Sequence, residues 1–222
     1  MKPRNPLRRA DWFPVERSEH IAAGTVVPSM LDGQEIALWR AGDGRLHAWE
    51  NRCPHRSVRL TLGFVADDQL VCRYHGWRYG ADGRCTHVPS TPTLAPPPAA
   101  CVRAYACREA SGVVWVSLAQ LPAGYPPVLV DLEACRSFTV DVSLDEAAAG
   151  LARMGFVAEH AVVWRESAGD AALLLLQPLD AVATVIHLFL DRRNAVPAGA
   201  EAVTRRIAAI ARIKPVQEAL HA

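Results

Sequence analysis

The chain has 222 residues, half of them hydrophobic, and its formal net charge at pH 7 is +1. This length suits one or two domains with a sizeable buried core, and the composition excludes an intrinsically disordered chain. The near-zero charge, without a sustained stripe of lysine or arginine, argues against nucleic acid as a partner. Because the sequence contains no apolar run of signal-peptide or membrane-spanning length, we expect a cytoplasmic protein without a membrane partner.

The first half of the sequence is typical of short strands separated by glycine turns. After an N-terminal segment at 12–21, strands are predicted at 25–30, 34–39, 47–50, 70–72, 77–79, 102–105 and 113–118. Residues 89–98 are rich in proline, which lacks the N–H that a strand ladder needs, so they predict an extended loop. The segment LPAGYPP closes an antiparallel β domain that we assign to residues 1–122.

The second half, 123–222, predicts a mixture of strands and helices. The predicted elements are a strand at 138–143, an alanine-rich helix at 145–154, a strand at 156–167, a hairpin at 171–177 and 182–190, and a helix at 200–212. Ser143 is a plausible cap for the first helix, and Pro215 is expected to interrupt the second.

Two short runs carry the chemistry of the sequence: Cys53 and His55 in CPHRS, and Cys72 and His75 in CRYHGW, with 16 residues between His55 and Cys72. Each run offers one thiolate and one imidazole, which suits a Rieske-type [2Fe–2S] cluster, where two histidines replace two cysteines on one iron. Neutral imidazoles raise the reduction potential of such a cluster to roughly −150 to +300 mV. A zinc site is the alternative, but zinc patterns pair cysteine with cysteine and histidine with histidine.

Three neighbours of these residues suggest supporting roles. Arg56 is expected to pair with a carboxylate of a partner or to lower the energy of the electron by its charge. Tyr74 is expected to donate its hydroxyl toward a sulfur, and Trp77 to pack under the ligand loop. The other cysteines are interpreted as free thiols of a reducing compartment: Cys85, Cys101, Cys107 and Cys135.

Residues 45–118 resemble the Rieske domain of bacterial ring-hydroxylating (Rieske non-heme iron) oxygenase α subunits, through CPHRSVRLTLG, CRYHGWRYGADGRC and VVWVSL. The resemblance implies that Cys53 and Cys72 bind the buried iron and that His55 and His75 bind the outer iron. The element order of the second half resembles a shortened helix-grip catalytic domain, a curved antiparallel sheet over a long C-terminal helix. The fold class expected is therefore α+β, an antiparallel β Rieske domain followed by this shortened sheet and helix.

A second metal site of that family is missing from the sequence pattern. The family's mononuclear Fe(II) needs two histidines and a carboxylate, and its two histidines lie five or six positions apart. No two of the eight histidines here have that spacing, so mononuclear iron is not expected and the chain is identified as a truncated member. A divergent site from His160, His187 and Asp170 or Asp191 stays open, although a lone histidine in an apolar run such as VIHLFL is usually structural.

The resemblance therefore implies a Rieske-bearing companion subunit within a trimer-based heteromer. Such a subunit takes electrons from a ferredoxin or flavin reductase and passes them to the mononuclear iron of a partner catalytic α-type subunit, without activating O₂ itself. Two alternatives remain, a self-contained mono- or dioxygenase with an unrecognised iron site and a stand-alone Rieske ferredoxin. The sequence does not indicate the substrate.

Overall fold

A computed structural model describes residues 12–129, 132–167, 172–191 and 199–221, and the expected α+β class is confirmed. The described residues of the first half form ten strands: β1 (Phe13–Arg17), β2 (Val26–Leu31), β3 (Gln34–Arg40), β4 (Leu46–Glu50), β5 (Phe64–Ala66), β6 (Gln69–Val71), β7 (Arg78–Tyr79), β8 (Cys85–His87), β9 (Ala104–Ala110) and β10 (Val113–Ser117). The second half adds β11 (Leu132–Val140), α1 (Leu144–Arg153), β12 (Phe156–His160), β13 (Val163–Glu166), β14 (Ala172–Pro178), β15 (Thr184–Asp191) and α2 (Ala200–His221).

Two antiparallel sheets make up the first half. The larger has the strand order β1-β10-β9-β4-β3-β2, and the smaller has the order β5-β6-β7-β8. Trp39 on β3 and Trp49 on β4 face the smaller sheet and share one apolar core with Leu60, Leu70 and Tyr79. Because large aromatic side chains on neighbouring strands bury much apolar area, this core holds the two sheets together and lies directly beneath the loops at Cys53 and Cys72.

The third sheet belongs to the second half and has the order β11-β15-β14-β13-β12. Its central strand β14 reads ALLLLQP and is buried at every position, without polar alternation. This strand contacts β1 of the first sheet and also α1, so both of its faces are covered. A strand between two layers needs apolar side chains on both faces, which explains the continuous leucine run.

The helix α1 begins where the sequence predicts. The Ser143 hydroxyl accepts from the Glu146 N–H, and the Glu146 carboxylate accepts from the Ser143 N–H at 2.9 Å, so the pair forms a capping box. Ala147, Ala148 and Leu151 face the core. Two donors that the helix start would leave unpaired are satisfied by this cap.

The helix α2 corrects the sequence analysis, because it continues through Pro215 to His221. Proline removes one N–H from a helix and costs about 3 kcal/mol relative to alanine. The face that continues past it is buried: Ala209, Ile213, Val216 and Leu220 recur at helical spacing and lie in the core. Burying a valine and a leucine stabilises by about 1.5 to 3 kcal/mol each, which offsets the proline.

Other predicted boundaries also changed. The strand expected at 156–167 is a hairpin of β12 and β13 with a turn at 161–162, and the strand expected at 138–143 begins earlier, as β11. β1, β5 and β8 were not predicted as strands, and β1 lies in the segment 12–21 that was expected to lead into the domain. The proline-rich stretch 89–98 contains neither strand nor helix, as expected.

The two halves share one buried core and a polar junction. Trp12 and Trp115 of the first half pack into the same cluster as the leucines of β14. At the junction, the N–H groups of Asp32 and Gly33 donate to the carbonyls of Pro178 (2.9 Å) and Leu179 (2.7 Å). The proposed division at 122/123 falls in a stretch without strand or helix, and it stays a prediction.

Candidate iron–sulfur site

The first ligand loop leaves β4 and is closed by two backbone hydrogen bonds. The Cys53 N–H donates to the Val58 carbonyl at 2.9 Å, and the Ser57 N–H donates back to the Cys53 carbonyl at 2.8 Å. Ser57 has φ +55°, in the left-handed region that a non-glycine residue seldom adopts. This closure turns the chain sharply, so that Cys53 points into the core while His55 lies at the surface.

The second ligand loop, between β6 and β7, repeats the same closure. The Cys72 N–H donates to the Trp77 carbonyl, and the Gly76 N–H donates to the Cys72 carbonyl, both at 2.9 Å. Gly76 takes the left-handed position at φ +69°, and a Cβ atom there would lie 3.1 Å from Cγ of Pro89. The glycine of CRYHGW is therefore required both by backbone conformation and by the close approach of the proline-rich loop.

Burial separates the four candidate ligands into two poles. Cys53 and Cys72 are 3% and 2% exposed, whereas His55 and His75 are exposed at the surface. The two imidazole rings lie 4.8 Å apart between centroids. The site therefore has a thiol pole inside the core and an imidazole pole that faces solvent.

Polar groups surround the buried thiols. The backbone N–H groups of Tyr74 and His75 donate toward Cys72 and favour its thiolate, while burial, the larger effect, raises the pKa of the Cys72 thiol. The thiols of Cys53 and Cys72 also contact one another. Burial of this kind keeps a thiol protonated until a cation binds. The amide N–H groups donate hydrogen bonds of the kind that stabilise the sulfur ligands of iron–sulfur clusters.

Tyr79 provides a contact that the sequence analysis missed. Its hydroxyl lies 3.1 Å from Sγ of Cys53, and its side chain is fully buried on β7. Burial raises the pKa of Tyr79 far above its usual range, so the phenol keeps its proton and donates toward a Cys53 thiolate. The sequence shows this tyrosine two residues after Trp77. Its partner Cys53 lies 26 positions earlier in the chain, so the local pattern did not reveal the contact.

The three predicted neighbours of the ligands lie at the imidazole pole. The Trp77 ring stacks on His55, with centroids 4.3 Å apart and an angle of 6°. Tyr74 is 55% exposed, and its ring lies 3.9 Å from that of His75. Arg56 is exposed beside His55, and the hydroxyl found against a ligand sulfur is that of Tyr79.

The histidines of the second half have other surroundings. The His187 ring is fixed by Ser137 Oγ at 2.8 Å on Nδ1 and by Gln177 Oε1 at 2.9 Å on Nε2. Because Gln177 Nε2 donates to the Met30 carbonyl at 2.7 Å, its Oε1 must accept from His187, which therefore carries its proton on Nε2. Burial lowers the pKa of His187 to about 4.

The remaining members of the alternative iron site do not gather around His187. His160 is exposed at the end of β12, Asp191 lies 3.2 Å from Arg165 in an ion pair, and Asp170 lies outside the described residues. Within the described ranges, no three His, Cys, Asp or Glu side chains converge on a single metal position. The ligand candidates of the first half instead form two pairs, which is the arrangement that a two-iron cluster needs, with two protein ligands on each iron.

Comparison with known proteins supports the interpretation of the two ligand loops. The Rieske [2Fe–2S] domain model matches residues 11–105, a range that includes all four candidate ligands, so this part of the chain is similar to that domain. Oxidoreductase NdmD of Pseudomonas putida is 44% identical over 128 residues, which are 57% of this chain and 22% of NdmD. The oxygenase subunit of 3-chlorobenzoate-3,4-dioxygenase from Comamonas testosteroni is 36% identical over 116 residues, which are 51% of this chain and 27% of that subunit.

The fold of the whole chain is similar to a solved structure, Pseudomonas putida CBB5 NdmA. The TM-score is 0.79 at 17% identity, and the match covers 97% of this chain and 82% of NdmA. The predicted resemblance to Rieske oxygenases is thereby confirmed, and the domain match supports the Rieske-type [2Fe–2S] cluster expected at the two ligand loops. The chain spans about a fifth to a quarter of the length of these curated relatives. Neither helix of the described residues has the length and apolar character needed to cross a bilayer.

Proposed function

We propose that this chain is a cytoplasmic Rieske companion subunit of a heteromeric ring-hydroxylating-type oxygenase. It takes electrons from a ferredoxin or flavin reductase and passes them to the mononuclear iron of a partner catalytic α-type subunit in a trimer-based assembly. One observation carries the proposal: the thiols at Cys53 and Cys72 are buried, while the imidazoles at His55 and His75 are exposed. Electrons enter and leave most easily through the exposed pole, where another protein can approach.

The ligand assignment is part of this proposal. Cys53 and Cys72 would hold the inner iron, and His55 and His75 would hold the outer iron. When bound, the cluster supplies one-electron acceptance and release at roughly −150 to +300 mV. The amides at residues 74 and 75 and the Tyr79 hydroxyl stabilise thiolate charge, while the apolar core keeps water away from the sulfur atoms.

The companion role is supported by the second half of the chain. The buried histidine of β15 has both ring nitrogens occupied by Ser137 and Gln177, so it acts as a structural hydrogen-bonding residue. The exposed positions of β12 offer surface for assembly. A self-contained oxygenase remains the second candidate, because the fold is similar to that of NdmA along 97% of the chain.

Reconstitution with the partner subunit tests the electron-delivery role. Cys72→Ser and His75→Ala remove one ligand from each pole and are expected to abolish product formation, because the partner's iron then receives no electrons. Cys101→Ser and His20→Ala are matched controls, since both residues are exposed and lie outside the ligand loops. The electron paramagnetic resonance signal of the reduced cluster must disappear in the first pair and persist in the second.

Two results would contradict the proposal. Product formation that is unchanged after loss of the cluster signal would remove the electron-delivery role. Iron analysis separates the companion from the self-contained oxygenase, because a companion binds about two irons per chain. A third iron per chain, together with hydroxylation by the purified chain and a reductase alone, would establish the oxygenase instead.

A further inference from the structure

A cleft of about 410 Å³ lies at the junction of the two halves. Residues of β1 and β2 form one side of this junction cleft, and residues of β11, β14 and β15 form the other. Its volume falls within the range of about 300 to 1,000 Å³ that is usual for small-molecule sites. None of the described residues that line it belongs to either ligand loop, so the cleft is separate from the candidate iron–sulfur site.

The junction cleft lies on the face of the third sheet that is turned away from α2. Phe138 and Leu188 face α2, and the gap between them and the helix holds only about 10 Å³, too little for more than a water molecule. Side chains alternate between the two faces of a strand. Ser137 and His187, one position away on the same strands, therefore point to the opposite face and line the cleft.

A β-bulge in β1 brings three consecutive side chains to the junction cleft. The pairing of β1 with β10 shifts register between Pro14 and Glu16. The cleft is lined by Val15, Glu16 and Arg17 together. In a regular strand consecutive side chains point to opposite faces, so one apolar and two charged side chains in sequence would not share a cleft. Bulges re-aim side chains in this way and are frequent beside functional sites.

The hydrogen bonds at the base of the junction cleft leave lone pairs toward its interior. Because His187 carries its proton on Nε2, its Nδ1 accepts the single hydrogen of the Ser137 hydroxyl, at 2.8 Å. Ser29 also uses its hydrogen, which it donates to the Val15 carbonyl at 3.1 Å. The exposed Ser137 hydroxyl can therefore only accept a further hydrogen bond.

The Glu16 carboxylate adds a second acceptor. Its Oε1 accepts from His20 Nδ1 at 2.8 Å and from the Arg17 N–H at 2.9 Å, whereas Oε2 has no partner among the described residues. The Arg17 guanidinium lines the same cleft and balances the charge of Glu16. A cationic ligand would be repelled by Arg17 and an anionic one by Glu16, so the charges favour an uncharged ligand.

We propose that the junction cleft binds a small uncharged molecule that has an apolar body and an N–H or O–H donor. The donor binds the lone pairs of Ser137 or Glu16. The body lies against the apolar side chains of the cleft, which are Val15, Met30, Leu179 and Val185. A ligand without a donor displaces water from the two acceptors and does not replace its hydrogen bonds, which costs affinity. This site is additional to electron transfer and needs neither the cluster nor a partner subunit.

Three probes with one apolar body test the class of ligand. 2-Naphthalenemethanol has an O–H donor, its methyl ether has none, and 2-naphthalenemethylamine is a cation. Amide NMR titrations of the holoprotein give both the affinity and the location of each probe. The alcohol is expected to bind with a dissociation constant of about 1 mM, as suits its size, and to shift the amides at 29–30, 177 and 185–187. The ether should bind about fivefold more weakly, because one hydrogen bond is lost, and the amine should also bind more weakly than the alcohol.

Two variants test the site itself. Ser137→Ala should weaken the alcohol about fivefold and leave the affinity of the ether unchanged. Val185→Phe fills the cleft without removing a hydrogen bond and should abolish binding of the alcohol. Its control is Val157→Phe, which makes the same change at an exposed position of β12 and should leave binding unchanged.

Four results would overturn the proposal. They are the absence of binding by the alcohol, amide shifts confined to other parts of the chain, equal affinities of the alcohol and the ether, and tighter binding of the amine than of the alcohol. Retained binding in Val185→Phe would place the probe elsewhere and would also overturn it. The electron paramagnetic resonance signal of the reduced cluster should be the same in all these variants, because the cleft lies outside the ligand loops. Failure of this proposal therefore leaves the proposed electron-delivery role standing.

Discussion

Replacing Tyr79 by phenylalanine should lower the reduction potential of the cluster. The change removes one hydroxyl, 3.1 Å from Sγ of Cys53, and leaves the buried ring in place. A hydrogen bond to a charged acceptor contributes about 1.5 to 3 kcal/mol, and only its difference between the two oxidation states affects the potential. We take this difference as about 1 kcal/mol. For one electron, a tenfold change in the equilibrium constant corresponds to about 1.4 kcal/mol and to 59 mV, so the potential should fall by about 40 mV.

The assay is a spectroelectrochemical titration of the holoprotein. Tyr105→Phe is the matched control, because Tyr105 is also buried, lies in a different core, and its hydroxyl has no hydrogen-bond partner among the described residues. This control should not shift the potential. If the potential of Tyr79→Phe stays within about 10 mV of that of the natural chain, instead of falling by about 40 mV, the view that this hydroxyl tunes the cluster is wrong.

Three further outcomes follow from the packing. Gly76→Ala should destabilise the fold by more than Gly112→Ala, since both residues have φ near +70° but only Gly76 would contact Pro89; chemical denaturation measures the difference, and equal losses would contradict the contact. Pro215→Ala should raise the melting temperature, with a gain of up to about 3 kcal/mol, and an unchanged temperature would mean that the helix ends before this residue. Burial lowers the pKa of His187 from its ordinary value of 6.5 to about 4 in the folded chain. Between these two pH values the unfolded chain therefore binds a proton that the folded chain does not bind. Unfolding free energy from urea titrations should therefore fall by up to about 3 kcal/mol between pH 6.5 and pH 4, and His187→Gln should remove that dependence.

The candidate ligands could be predicted from the sequence because their pattern is local. Cysteine and histidine two or three positions apart, in two runs, place a thiolate and an imidazole on each loop, whatever the surrounding fold. The strands that support the loops were also predictable, since glycine turns separate them. The contact of Tyr79 was not, because it depends on how a two-residue strand is placed against a loop 26 positions earlier.

The second half shows why local rules fail at buried elements. Pro215 is a reliable stop signal for an exposed helix, but here Val216 and Leu220 complete a buried face, and tertiary packing prevails over backbone preference. The strand pattern at 156–167 hid a two-residue turn without glycine or proline, so the hairpin was not apparent. Leu173 to Leu176 gave no periodicity because both faces of that strand are covered.

The two halves of the chain are joined by a shared core and by the hydrogen bonds of Gln177 to Met30 and to the buried imidazole of β15, and this junction has a practical consequence. Cutting the chain at the proline-containing linker would expose the indoles of Trp12 and Trp115 to water and leave the amide groups of the β2–β3 turn without their carbonyls. Heat should therefore melt both halves in a single calorimetric step. A fragment that ends at the linker would aggregate, so any attempt to minimise this protein should keep residues 172–191 attached to the cluster-bearing half.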